Sequence, residues 1–161
     1  PTTEEPPPVD PDPTDPPPAV NDRGNVALVP GETLEVTDPD GVVFSVTVET
    51  VSTDVPCSTD VPVEGRLVAL QLTVVTGADL STVGGAHAID PADFGFVDAD
   101  GTVDDEVIPA APCTTAATPF PSEPVAPGST VSGTVVLDVP VTGGSVVYDP
   151  EFLPAGGEWA V

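Results

Sequence analysis

The 161-residue chain carries 27 acidic residues against two basic ones, Arg23 and Arg66, for a formal charge of −25. That balance excludes nucleic-acid binding, which needs a cationic footprint to displace counterions from phosphates, and it opposes docking on anionic lipid. No apolar run approaches the roughly 18 residues that a helical membrane span requires.

Residues 1–18 hold nine prolines and five acidic residues, with Val9 as the apolar exception. Such a segment cannot bury enough surface to offset its ordering entropy. Proline fixes φ and like charges repel, so the stretch should be extended, spanning roughly 55 Å at about 3.1 Å per residue. Residues 1–24 therefore read as a disordered Pro/acid-rich stalk, and residues 25–161 as one folded domain. Methionine is absent, which suggests a trimmed chain. Any export signal or lipid-bearing cysteine would then have to precede Pro1.

From Asn25 onward valine and threonine dominate, and β-branched residues at this density favour strands. Asn25–Val29 and Thr33–Val36 come first, separated by Pro30-Gly31. In the run from Val42 to Glu49 the even positions Val42, Phe44, Val46 and Val48 are apolar and predict an inward face. Val68, Leu70, Leu72 and Val74 repeat that pattern. Phe94–Val97 and Val103–Val107 flank a turn at Asp100-Gly101. In Thr130–Val139 the odd positions turn inward, with Gly133 as a gap. Ser145–Tyr148 and Glu158–Val161 complete the set. No stretch sustains a helical period over about ten residues. The prediction is an all-β, antiparallel two-layer sandwich of seven to nine strands, its core including Phe44, Val46, Leu70, Leu72, Val135 and Leu137.

Cys57 and Cys113 both fall in proline-containing loops, outside the predicted strand interiors. Free thiols there would be an oxidation hazard, and acidic surroundings make poor nucleophiles of them, so a disulfide is expected. It would close a loop of about 57 residues, for which chain entropy gives roughly 4 kcal/mol, and it would place the protein in an oxidising compartment.

The polar run from Asp98 to Glu106 is the candidate metal site. Alternate carboxylates around a glycine turn, here Asp98, Asp100 and Asp104, can converge on calcium. An EF-hand loop, however, needs one more aspartate and a glutamate where Val107 stands. A hairpin turn at Asp100-Gly101 is the simpler reading, and the same holds for Asp38-Pro39-Asp40-Gly41. His87 is the sole histidine. It lies near Asp90 and Asp93, but no serine stands in a nucleophile context, and zinc would have to rely on carboxylates for its other ligands. With 27 acids some carboxylates will pair by chance, so pairs alone do not indicate glycoside hydrolysis. Trp159 reads as a core residue of the last strand. The chain is expected to have no catalytic residues and no cofactor.

Several pieces together carry a resemblance. They are Val43-Phe44-Ser45-Val46-Thr47-Val48, then Arg66 to Val74, then Phe94 to Gly101, and Pro127-Gly128 followed by Thr130 to Pro140. They resemble the domain of unknown function of secreted lipoproteins from actinobacteria and other Gram-positive bacteria. That family has an immunoglobulin-like sandwich related to the mycobacterial secreted immunoprotective antigen. The resemblance covers about Val26 to Val161 and implies no catalytic residue. The expectation is a non-catalytic extracytoplasmic module, secreted or lipid-anchored at the cell surface and displayed on the Pro-rich stalk, that binds a protein partner in the cell envelope. The rival expectation is a calcium-dependent adhesion or carbohydrate-binding domain. The composition also resembles proteins that stay soluble in high salt. Self-repulsion is screened by salt, so the melting temperature should rise with NaCl toward about 1 M, where the Debye length is roughly 3 Å.

Overall fold

A computed structural model describes residues 19–53, 55–56, 63, 65–104, 108–109, 118–140 and 143–161. Ten strands occur among them: β1 (Val26–Leu28), β2 (Thr33–Asp38), β3 (Gly41–Thr53), β4 (Arg66–Thr76), β5 (Phe94–Asp98), β6 (Val103–Asp104), β7 (Ile108–Pro109), β8 (Thr130–Val139), β9 (Gly144–Tyr148) and β10 (Gly157–Ala160). Two of them, β6 and β7, are only two residues long, which takes the number past the predicted range. The strands form two five-stranded sheets, β1-β10-β9-β5-β6 and β2-β3-β4-β8-β7. Between the sheets lies one continuous apolar core, in which Trp159, Tyr148, Phe44, Phe96, Leu70, Leu72 and Leu137 are the largest fully buried side chains.

The long strands follow their sequence period. Val68, Leu70, Leu72 and Val74 of β4 point inward, opposite Val135, Leu137 and Val139 of β8. Each such side chain removed from water stabilises the fold by about 1.5–3 kcal/mol before ordering entropy is counted.

Strict alternation fails at one place. Val42 is 41% exposed, while Val43 and Phe44 are both buried. A bulge explains it: Thr37 pairs with Val42 but Val36 pairs with Phe44, so Val43 is an extra residue that inverts the parity beyond it. Gly133 is also no gap. A Cβ built there would lie 2.4 Å from the Phe120 Cα, because residues 118–120 pass against β8 at this point. They are held by the Phe120 N–H donating to Thr134 O (3.0 Å) and the Thr134 N–H donating to Thr118 O (2.8 Å).

The sequence predicts a wholly antiparallel sandwich, and one strand pair departs from it. β1 runs parallel to β10, with Val26, Ala27 and Leu28 opposite Gly157, Glu158 and Trp159. The turn at Pro30-Gly31 carries the chain from one sheet to the other, so β1 cannot form a hairpin with β2 and pairs instead with β10. Gly31 N–H donates to Val48 O (2.8 Å), pinning that crossover. The Trp159 ring lies 2.4 Å from where a Cβ at Gly157 would be, which is why glycine stands there.

The folded unit begins earlier than the predicted boundary at residue 25. Val20 bridges Val26, and Asn21 receives the backbone N–H groups of Arg23 and Asn25 on its side-chain oxygen (3.0 and 3.1 Å). Residues 1–18, predicted to be a disordered stalk, lie outside the described residues, as do Cys57 and Cys113.

Candidate functional site

In the β1-β10-β9-β5-β6 sheet, Phe94, Phe96, Val146, Tyr148 and Trp159 face the core. The alternate residues therefore face outward, and the pairing sets them in rows. Gly95 sits beside Val147, Val147 beside Glu158, and Glu158 beside Ala27. In a neighbouring row Val103 sits beside Val97, and Val97 beside Ser145.

The outer face of a solvated sheet is normally polar. Here Val97 and Val147 are only 3% and 8% exposed, although neither belongs to the continuous core. They form the floor of a cleft of about 460 Å³. Gly95 deepens the floor because it has no side chain. Val103, 53% exposed, stands at the side, and Asp93, Asp149 and Glu151 supply carboxylates around it.

Arg23, which lines the cleft, belongs to a charged network. Glu158 is 7% exposed and receives both Arg23 Nε (3.1 Å, to Oε2) and Arg23 Nη2 (to Oε1), with Asn21 Nδ2 donating to Oε2 at 2.8 Å. This forked geometry is the strong form of a carboxylate–guanidinium pair. Burial pushes the Glu158 carboxyl up, but the Arg23 and Asn21 hydrogen bonds and the Arg23 charge outweigh it and hold the group below its usual range. Asp93, also in the lining, is shifted upward, first by burial and then by the neighbouring Asp90 charge. Beneath the floor, burial and then the Asp93 charge push the Tyr148 hydroxyl far above its usual range, so it stays protonated.

The residues singled out from sequence have other surroundings. Asp98 Oδ1 accepts the backbone N–H groups of Asp100 (2.9 Å) and Thr102 (2.8 Å), and Gly101 N–H donates to Asp98 O (3.0 Å). That oxygen is engaged in holding the β5–β6 turn. Asp100 is exposed, and the Asp104 side chain lies outside the described residues. Among the described residues no group of three or more His, Cys, Asp or Glu is arranged to hold a metal. Asp38 likewise accepts the Asp40 N–H (2.8 Å) within its turn.

His87 stacks on Phe152 with ring centroids 3.8 Å apart, and its Nε2 donates to Val83 O at 2.5 Å. Phe152 in turn meets Phe44 edge-on at 5.2 Å. The histidine thus anchors a loop to the core. Trp159 is fully buried, as its place in the last strand predicted.

No family model and no curated protein sequence matches the chain. Two solved structures share its fold. One is a secreted protein of Mycobacterium tuberculosis, MPT63, with a TM-score of 0.59 and 17% identity, covering 85% of this chain and 98% of that one. The other is a candidate lipoprotein of Bacillus subtilis, ycdA, with a TM-score of 0.51 and 17% identity, covering 74% of this chain. The match spans 36% of the ycdA chain. At this identity the likeness is one of fold, an immunoglobulin-like β-sandwich. Among the described residues no helix is long and apolar enough to cross a membrane.

Sequence reasoning missed the cleft. The available signal was apolar character at both parities, in Phe96-Val97 and Val146-Val147, which no single buried face can absorb. A second signal was Arg23, one of two basic residues in the chain.

Proposed function

We propose that the protein is a non-catalytic, extracytoplasmic interaction module that binds a protein partner through the cleft on the outer face of the β1-β10-β9-β5-β6 sheet. The observation that carries this reading is the pair Val97 and Val147, apolar and sunken on a face that points away from the core. A concave apolar floor with a few polar groups at its margin is the usual form of a recognition site. The fold likeness to a secreted mycobacterial protein over 98% of that protein's length supports the extracytoplasmic part.

The test is site-specific photocrosslinking, with a photoreactive residue placed at Val103 beside the cleft or at Ser132 on the opposite sheet. The expected result is a discrete product with an extracytoplasmic protein from Val103 only, competed away by unlabelled wild-type protein. Products of equal yield from both positions, or none from Val103, would overturn the reading.

A further inference from the structure

The cleft has a definite chemistry beyond its apolar floor. Among the described residues three carboxylates, Asp93, Asp149 and Glu151, line it, and the one lining cation, Arg23, has its guanidinium turned onto Glu158. Arg23 is therefore committed to Glu158 rather than to these carboxylates. Around Asp93, burial and Asp90 act against the ionised form more strongly than the Asp90 backbone N–H and His87 favour it. A positive group entering the cleft would offset both, while an anionic one would meet repulsion from the lining and from a chain of net charge −25. The same field raises the encounter rate of cationic partners at low salt. The valine floor meanwhile asks for aliphatic contact. A space of about 460 Å³ suits a few side chains of an extended segment.

We infer that the cleft takes an extended protein segment in which aliphatic side chains flank a lysine or arginine. This rests on the cleft being the binding site of an interaction module. The floor would hold the aliphatic side chains, and Asp93 and Asp149 the cation.

The probe is the capped pentapeptide Val-Lys-Val-Lys-Val, titrated into the ¹⁵N-labelled full chain at fixed ionic strength. Controls are Val-Ser-Val-Ser-Val, Val-Glu-Val-Glu-Val and hexylammonium. The expected result is saturable shifts of the Gly95, Val97 and Val147 amides with the lysine peptide. The double variant Asp93→Asn/Asp149→Asn should bind it at least tenfold more weakly, while Glu35→Gln/Asp40→Asn, an equal charge change on the other sheet, should bind it nearly as well as wild type. Equal loss in both variants would reduce the effect to general electrostatics and overturn the inference. So would equal binding of the serine peptide, or of hexylammonium. If no peptide moves the cleft amides while the Val103 crosslink still forms, this inference fails and the interaction module stands. If both experiments are blank, both fall.

Discussion

Outside the β2-β3-β4-β8-β7 sheet, Thr33, Thr47, Thr73 and Ser132 form an in-register row across four strands, with Thr33–Thr47 and Thr73–Ser132 hydrogen bonds of 2.8 and 3.0 Å. Outside the other sheet, the rows instead place Gly95, Val97, Val103 and Val147 around a hollow. The hydroxyl row on the first face satisfies itself through side-chain pairs and meets water, as half-buried antiparallel sheets do, although the same face also holds Leu67 and Ala69, buried but outside the continuous core. The second keeps apolar area on a side where the core does not use it. The two sheets contribute alike to the interior and differ outside it in that Gly95, Val97, Val103 and Val147 surround a cleft, and the functional proposal rests on that cleft.

The sharpest way to break the comparison is to put one charge on each face. Val97→Asp should destabilise the fold by about 3 kcal/mol or more, because it buries an unpaired carboxylate. Thr73→Lys, on the hydroxyl face, should stay within about 0.5 kcal/mol of wild type. Urea denaturation measures both, and similar values would erase the distinction between the faces.

A smaller effect is expected at the Arg23–Glu158 network. Arg23→Ala leaves Glu158 sunken without its cation and should lose about 1–2 kcal/mol, a figure reduced for the partial exposure of the arginine. The sign with pH follows from the depressed Glu158 carboxyl. Its contribution is present above the unfolded-state value and is lost as pH falls through the lower folded-state value. The gap between wild type and Arg23→Ala should therefore narrow in acid, and a gap that widened there would contradict the network.

The smallest expected effect belongs to Asp93, whose carboxyl is shifted upward. A raised group favours the fold below its unfolded-state value and loses that contribution as pH rises through the folded one. Asp93→Asn should give a slight gain in melting temperature at pH 7 that vanishes in acid. A loss at pH 7 would show that the ionised carboxylate is structurally needed.

How much of this was legible in the sequence varies with distance along the chain. The inward faces of β4 and β8 could be read from alternation alone, because a two-residue period needs no knowledge of the partner strand. The inversion at Val42 and Val43 could not, since a bulge depends on how β2 meets β3. Gly133 looked like a missing side chain until the backbone of Phe120 was found in its place. The parallel pairing of β1 and β10 joins the two extremes of the domain, and local periodicity carries no information about it. The cleft was hidden for a related reason. Val97 and Val147 lie on different strands, and only the register of β5 with β9 and β6 brings Gly95, Val97, Val103 and Val147 together.

The pairing of β1 with β10 also sets how the domain bears load. A pull applied at Val20 and at Val161 acts on the leading end of one strand and the trailing end of its parallel neighbour, along the strand axis. The hydrogen bonds between Val26–Leu28 and Gly157–Trp159, together with the Val26 N–H donating to Gly156 O, would then be strained together in shear. A hairpin tugged open at one end yields its bonds one after another. The first and last strands of the described residues are thus arranged so that such a pull loads their hydrogen bonds together rather than in turn.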